Sequence, residues 1–173
     1  MGFEEARGEF LVRLMSRYAT HGSSILELGC RAGKNIAPLF DAGFEDICGV
    51  EEDARRVGLL SETHPRLGAI RIINAPVKEA VTAFADGGFD VVFTVGFFEG
   101  PRGGHARLFA EMARVARSHL VIIEDERPRG TGDEAVNYRD VFEPLGFTQV
   151  EETALGVLPE LESVFTARIF EKR

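Results

Sequence analysis

The stretch Ser24-Ile25-Leu26-Glu27-Leu28-Gly29-Cys30-Arg31-Ala32-Gly33 decides how the rest of the chain reads. It opens as a short apolar strand carrying one acid and ends in a turn bounded by Gly29 and Gly33. Working outward, short apolar runs alternate with segments of helical period, which argues for βαβ units around a parallel sheet. Upstream, Phe3, Phe10, Leu11, Leu14 and Met15 fall near one stripe of a helix from about Glu4 to Tyr18. Downstream, a helix should run from the turn through Phe40 and end at Ala42-Gly43. Strand two follows at Asp46–Val50, then a helix over Asp53–Glu62 stopped by His64-Pro65. Strand three is Ala69–Ile73, and Pro76 suits the first turn of a helix towards Phe84.

The second half repeats the rhythm. Asp86-Gly87-Gly88 makes a turn before strand four, Phe89–Val95, and a helix over Ala106–Ala116 leads to strand five, His119–Glu124. Pro128 and Gly130 mark Glu126–Thr131 as a loop, and a helix from about Glu134 to Leu145 stops at Gly146. Two last strands, about Thr148–Thr153 and Ser163–Phe170, have no room for a helix between them and should pair antiparallel. The expected fold is α/β: one doubly wound sandwich of seven strands with helices on both faces. Residues 1–22 form an N-terminal helix acting as lid or packing, and residues 23–173 form the main domain.

Composition limits the partners. The 173 residues are 45% hydrophobic and 28% charged, which excludes bulk disorder. The longest apolar stretch, about Val91 to Phe98, is far too short to span a bilayer. A net charge of −8 with no Lys/Arg run fits nucleic acid poorly, because that affinity rests on neutralised phosphates. The acidic N-terminus has no apolar signal region and no Ser or Thr at position 6 for myristoylation. Cys30 and Cys48 suggest neither a disulfide framework nor a zinc site, so no metal is expected and a reducing, cytoplasmic location fits.

In such sheets, ligands bind outside the carboxyl ends of the strands, where the strand order reverses. Strand one delivers Glu27 and the glycine turn, strand two Glu51, strand three Asn74-Ala75, and strand four Thr94 and Gly96. Glycines let the backbone approach a ligand, and a carboxylate at the end of strand two matches a ribose diol. A dinucleotide fingerprint needs Gly-x-Gly-x-x-Gly, but its second and third places here are Arg31 and Lys34. The pattern that fits is an acid two residues before the first glycine, Glu27-x-Gly29-x-Arg31-x-Gly33. An acid there would repel a pyrophosphate and suits a ligand carrying an ammonium group.

With these residues, and with Gly49-Val50-Glu51, Phe89-Asp90-Val91-Val92-Phe93 and Leu145-Gly146-Phe147 in the same order, the chain resembles the class I S-adenosylmethionine-dependent methyltransferases over about residues 23–173. The resemblance implies a sheet of order 3-2-1-4-5-7-6 with the last strand antiparallel, S-adenosyl-L-methionine (SAM) as cofactor, and methyl transfer. It implies that Gly29 and Gly33 lie under the methionine part and that Glu27 faces its ammonium group. Glu51 would hold the ribose hydroxyls, Asn74 or the backbone of Ala75 the adenine amino group, and Thr94 and Gly96 would end beside the methyl group.

Two places depart from the family pattern. Its middle glycine is Arg31, where a left-handed backbone would cost about 1–2 kcal/mol, and the guanidinium could fold onto the cofactor's carboxylate. The Glu-His pair that many small-molecule members carry after strand four is replaced by Phe97-Phe98-Glu99-Gly100-Pro101. Glu99 and His105 are therefore the candidates for acid–base work. Phe97 and Phe98 could stack on a substrate, and Arg127 and Arg129 could fork a carboxylate or phosphate on it. The expected function is methyl transfer to a small molecule, with a protein side chain as a possible substrate. The alternatives are a SAM- or S-adenosylhomocysteine-binding protein without transfer activity and, further off, a nicotinamide-dependent oxidoreductase.

Overall fold

The computed structural model describes residues 3–98, 104–128, 135–155 and 164–173, with the side chains of 3–5 left aside. Seven strands form one sheet: β1 (Ile25–Leu28), β2 (Ile47–Glu51), β3 (Arg71–Asn74), β4 (Phe89–Val95), β5 (Ala116–Asp125), β6 (Phe147–Ala154) and β7 (Phe165–Lys172), in the order 3-2-1-4-5-7-6. β3, β2, β1, β4 and β5 are parallel, and β7 runs antiparallel to both β5 and β6. The central strands are mostly apolar because helices cover both sides of the sheet. Ile25, Val91, Phe93, Val121 and Ile169 face one core, shared with α1 (Phe3–Tyr18) and α2 (Ile36–Asp41). Leu26, Leu28, Val92, Leu120 and Phe170 face the other, shared with α4 (Val77–Ala80), α5 (Ala106–Val115) and α6 (Tyr138–Phe142). α3 (Ala54–Thr63) contributes Leu60 to the first core.

α1 is part of this core. Leu11, Leu14 and Met15 are buried, and Tyr18 Oη and Arg17 Nη2 both donate to Glu151 on β6 at 2.6 Å. Burial and that bond push the Tyr18 phenol up to about 12.

Three helices depart from expectation. α2 starts only at Ile36, because the positive φ of Arg31 (50°) and Gly33 (77°) keeps residues 31–35 in turns. The helix after Pro76 is a single α-turn continued by a 3₁₀ segment over Val81–Ala83. α6 begins at Tyr138, where the Asn137 side chain accepts from the Arg139 N–H, and the expected start at Glu134 lies outside the described residues. β5 begins at Ala116, directly after α5, not at His119. Lys172 makes this loopless junction possible, since its Nζ donates to Ala113 O (2.9 Å) and Ala116 O (2.7 Å) at the helix end. The order of strands reverses between β1 and β4, and the turns leaving their carboxyl ends therefore border one cleft.

Candidate cofactor-binding site

The turn after β1 is built by glycine and closed by hydrogen bonds. Gly29 has φ 77°, and its N–H and that of Cys30 both donate to Val50 O, at 2.9 and 3.0 Å. A Cβ on Gly29 would stand 2.3 Å from Cδ2 of Phe97, and one on Gly33 would stand 2.8 Å from Cδ1 of Leu60. Only glycine fits either place. Arg31 takes the left-handed conformation that its position predicted, and its N–H donates to Glu51 Oε2 at 2.9 Å.

Glu27 is fully buried. Its Oε1 accepts from Asn35 Nδ2 at 2.6 Å, and its Oε2 has no hydrogen-bond partner. Burial pushes this carboxyl up to about 8, against the opposing pull of the Asn35 bond and of Arg7 and Arg31. An unpartnered buried carboxylate oxygen behind a glycine turn fits an ammonium group, which would relieve the cost of desolvation. Asn35 was not anticipated, although its place in the turn just before α2 put it within reach.

Glu51 ends β2 and is buried. Its Oε1 accepts from the Asp53 N–H and its Oε2 from the Arg31 N–H, both at 2.9 Å, and Arg56 Nη1 lies 3.6 Å from Oε1. Each oxygen keeps a second lone pair. Asn74 Nδ2 donates to Glu51 O (2.8 Å) and Glu52 O (3.1 Å), and the Ala75 N–H also points at Glu51 O, at 3.2 Å. Gly29, Arg31, Glu51, Lys78, Phe97 and His105 border a cleft of about 550 Å³. A larger hollow of about 930 Å³ lies between α1, α2 and α3, but none of the strand-end acids lines it. Convergent polar groups, not size, mark the site.

At the end of β4, Thr94 is buried with its Oγ1 lacking a hydrogen-bond partner, and Gly96 turns at φ 58°. Phe97 presses on Gly29. Phe98, a candidate for stacking on a substrate, is a core residue at 1% exposure, packed edge-on against His105 and Phe109. The buried Glu124 at the end of β5 accepts from the Phe97 N–H (Oε1, 2.9 Å) and the Phe98 N–H (Oε2, 3.2 Å). This residue was missed, although an acid closing the apolar run Leu120–Ile123 is the signal that identified Glu51. His105 is half-buried against Phe98 and lines the same cleft as Phe97. Arg127 is exposed and forks Asp125 at 3.0 Å through both Nε and Nη2. Glu99 and Arg129 lie outside the described residues. Among the described residues no helix is long and apolar enough to cross a membrane, and no group of three or more His, Cys, Asp or Glu is placed to hold a metal ion.

The profile of the family described as "Methyltransferase domain" matches residues 26–123. No curated protein sequence matches the chain. Among solved structures, the chain is similar to a TehB-like SAM-dependent methyltransferase from Corynebacterium glutamicum, at 20% identity, TM-score 0.68, and coverage of 94% of this chain and 87% of that one. It is similar to magnesium protoporphyrin IX methyltransferase from Synechocystis with bound S-adenosylhomocysteine, at 14% identity, TM-score 0.73, and 98% and 82% coverage. It is also similar to geranyl diphosphate C-methyltransferase from Streptomyces coelicolor, at 13% identity, TM-score 0.75, and 98% and 79% coverage. The family uses SAM, and the glycine turn with its two buried acids suits that cofactor. With strand order and family profile in agreement, the chain belongs to the methyltransferase-domain family of class I SAM-dependent methyltransferases.

Proposed function

We propose that this chain transfers a methyl group from SAM to a small-molecule acceptor. The observation that carries the reading is the buried Glu27 carboxylate, whose Oε2 lacks a hydrogen-bond partner behind the Gly29–Gly33 turn. When bound, SAM supplies a methyl group already activated on sulfur. Glu27 would hold the ammonium group, and Glu51 would accept the ribose hydroxyls through its remaining lone pairs. With Asn74 Nδ2 committed to backbone carbonyls, its Oδ1 or the Ala75 carbonyl is the acceptor for the adenine amino group. Gly33 admits the backbone to close approach, while Thr94 and Gly96 border the reacting end.

The work on the acceptor is positioning, since the leaving group needs no further activation. Phe97 would form one wall, and His105 beside it is the described candidate for taking a proton from the acceptor. Arg127 would draw an anionic group on the acceptor into the loop after β5. Arg7, close enough to Glu27 to lower its pKa, brings the first turns of α1 to the same end of the sheet, so residues 1–22 would both pack and cover. The acidic charge disfavours nucleic acid as the acceptor.

A second reading, a SAM-binding protein without transfer activity, has one observation in its favour: Arg31 stands where the family pattern has glycine, and its Nη2 donates to Gly96 O at 2.6 Å, joining the β1 turn to the end of β4. Calorimetry with S-adenosylhomocysteine and NAD tests the cofactor, and transfer of labelled methyl from SAM into a metabolite extract tests the reaction. We expect S-adenosylhomocysteine to bind, NAD not to bind, and one or a few small products to acquire label. Binding with no labelled product would favour the second reading, and binding of NAD alone would overturn both.

A further inference from the structure

The larger hollow between α1, α2 and α3 shares no lining residue with the cofactor cleft. Its origin is geometric. Gly8 lets α1 cross close over α2, since a Cβ there would stand 3.1 Å from Pro38 Cβ. α3 packs mainly on β2, β3 and the 3₁₀ turn Pro65–Ala69, so a gap stays open between it and the α1–α2 pair. Val12, Ala37, Pro38 and Leu59 are among its walls, and Leu59 is 47% exposed. At about 930 Å³ the hollow is of the size that takes drug-sized ligands. Its rim carries Arg13, Lys34 and Arg66 against Glu9 and Asp41, a local excess of positive charge on a chain of net charge −8. Arg66 and Asp41 neutralise each other through two contacts of 2.6 Å. Glu9 and Arg13 are both exposed, and Arg13 makes no hydrogen bond or ion pair among the described residues.

We propose that this hollow is a second ligand site, which takes a small organic anion with an apolar body: the body lies against Leu59, Pro38 and Val12, and the anionic group meets Arg13. Apolar contact supplies most of the affinity, because it scales with the area removed from water, while an exposed ion pair adds only a few-fold. The charge therefore decides which apolar ligand is preferred, not whether one binds. The site does not depend on the cofactor reading, since the two cavities have no lining residue in common.

Octanoate, octanol and octylammonium share one apolar chain and differ only in the head group, so they serve as probes. Two-dimensional amide NMR spectra of the full chain report where each binds and how tightly. Octanoate should shift the amides of Gly8, Ala37 and Leu59 and bind roughly fivefold more tightly than octanol, with octylammonium the weakest. Arg13→Gln should remove most of that preference, and Leu59→Gln should weaken all three probes by roughly tenfold. Saturating S-adenosylhomocysteine should leave octanoate bound. Shifts centred on Gly29 and Glu51, or displacement by S-adenosylhomocysteine, would place the anion in the cofactor cleft and overturn the proposal. Equal affinity for the three head groups would overturn the choice of an anion. Sedimentation showing a dimer that Leu59→Gln splits would assign the hollow to a second copy of the chain instead. If S-adenosylhomocysteine does not bind at all, the cofactor reading fails while the octanoate shifts still decide this one.

Discussion

Glu27 and Glu51 are both buried acids at the ends of neighbouring strands, yet their surroundings are opposite. Glu51 is satisfied before any ligand arrives: the Arg31 and Asp53 N–H groups each donate to one of its oxygens at 2.9 Å. Glu27 has one bond, from Asn35, and one oxygen with none, and burial raises its carboxyl to about 8. The first is a preorganised acceptor that also holds the turn together. The second is a destabilised group that a cation would relieve. One site thus contains a rigid end and an end that gains most from being filled.

The strongest way to break this contrast is Glu27→Gln. It removes the charge but keeps the shape and the acceptor for Asn35. We expect the affinity for S-adenosylhomocysteine, measured by calorimetry, to fall roughly hundredfold or more. The free protein should be stabilised at pH 8.5 by on the order of a few kcal/mol in urea melts, since the desolvated charge is gone. A variant that binds normally would remove Glu27 from the site.

Glu51 should behave the other way round. Glu51→Gln should weaken S-adenosylhomocysteine by about tenfold, in keeping with one charged hydrogen bond. Glu51→Ala should in addition lower the stability of the free protein by about 1–3 kcal/mol, because two turn N–H groups lose their acceptor. A melting temperature unchanged in Glu51→Ala would show that the turn does not depend on the carboxylate.

Two further effects sharpen the same picture. Below about pH 4.5 Glu27 carries its proton folded or unfolded, and between there and about 8 only the folded chain keeps it. Its contribution therefore makes stability fall as pH rises through that window, and Glu27→Gln should flatten the slope in urea melts compared across pH. Arg127→Ala is the smallest change. It breaks an exposed pair with Asp125, so S-adenosylhomocysteine affinity should shift less than twofold and stability by less than about 1 kcal/mol.

The strands were legible because burial on both faces writes them as apolar runs, and Glu27 and Glu51 were legible because each interrupts or ends such a run. Elements shaped by distant partners were not. No local pattern shows that β5 follows α5 without a loop, since the carbonyls at that junction are met by Lys172, from the far end of the chain. The unusual backbone at Arg31 could be anticipated from the glycine pattern, but not the destination of its guanidinium, Gly96, which lies 65 positions away. For Phe98 the sequence left core packing and substrate stacking both open, because it does not reveal that α5 and α6 close an aromatic core around the ring.

The central claim is that Glu27 receives the ammonium group of the cofactor, and the pH dependence of binding tests it most directly. Calorimetric titrations at pH 6 and pH 8 should be run with S-adenosylhomocysteine and with 5′-methylthioadenosine, which has no ammonium group. With the Glu27 carboxyl at about 8 in the free protein, ammonium binding must displace its proton at pH 6. The account predicts that S-adenosylhomocysteine binds at least tenfold more tightly at pH 8 while 5′-methylthioadenosine is unaffected. Equal pH dependence for the two ligands, or none for either, would contradict it.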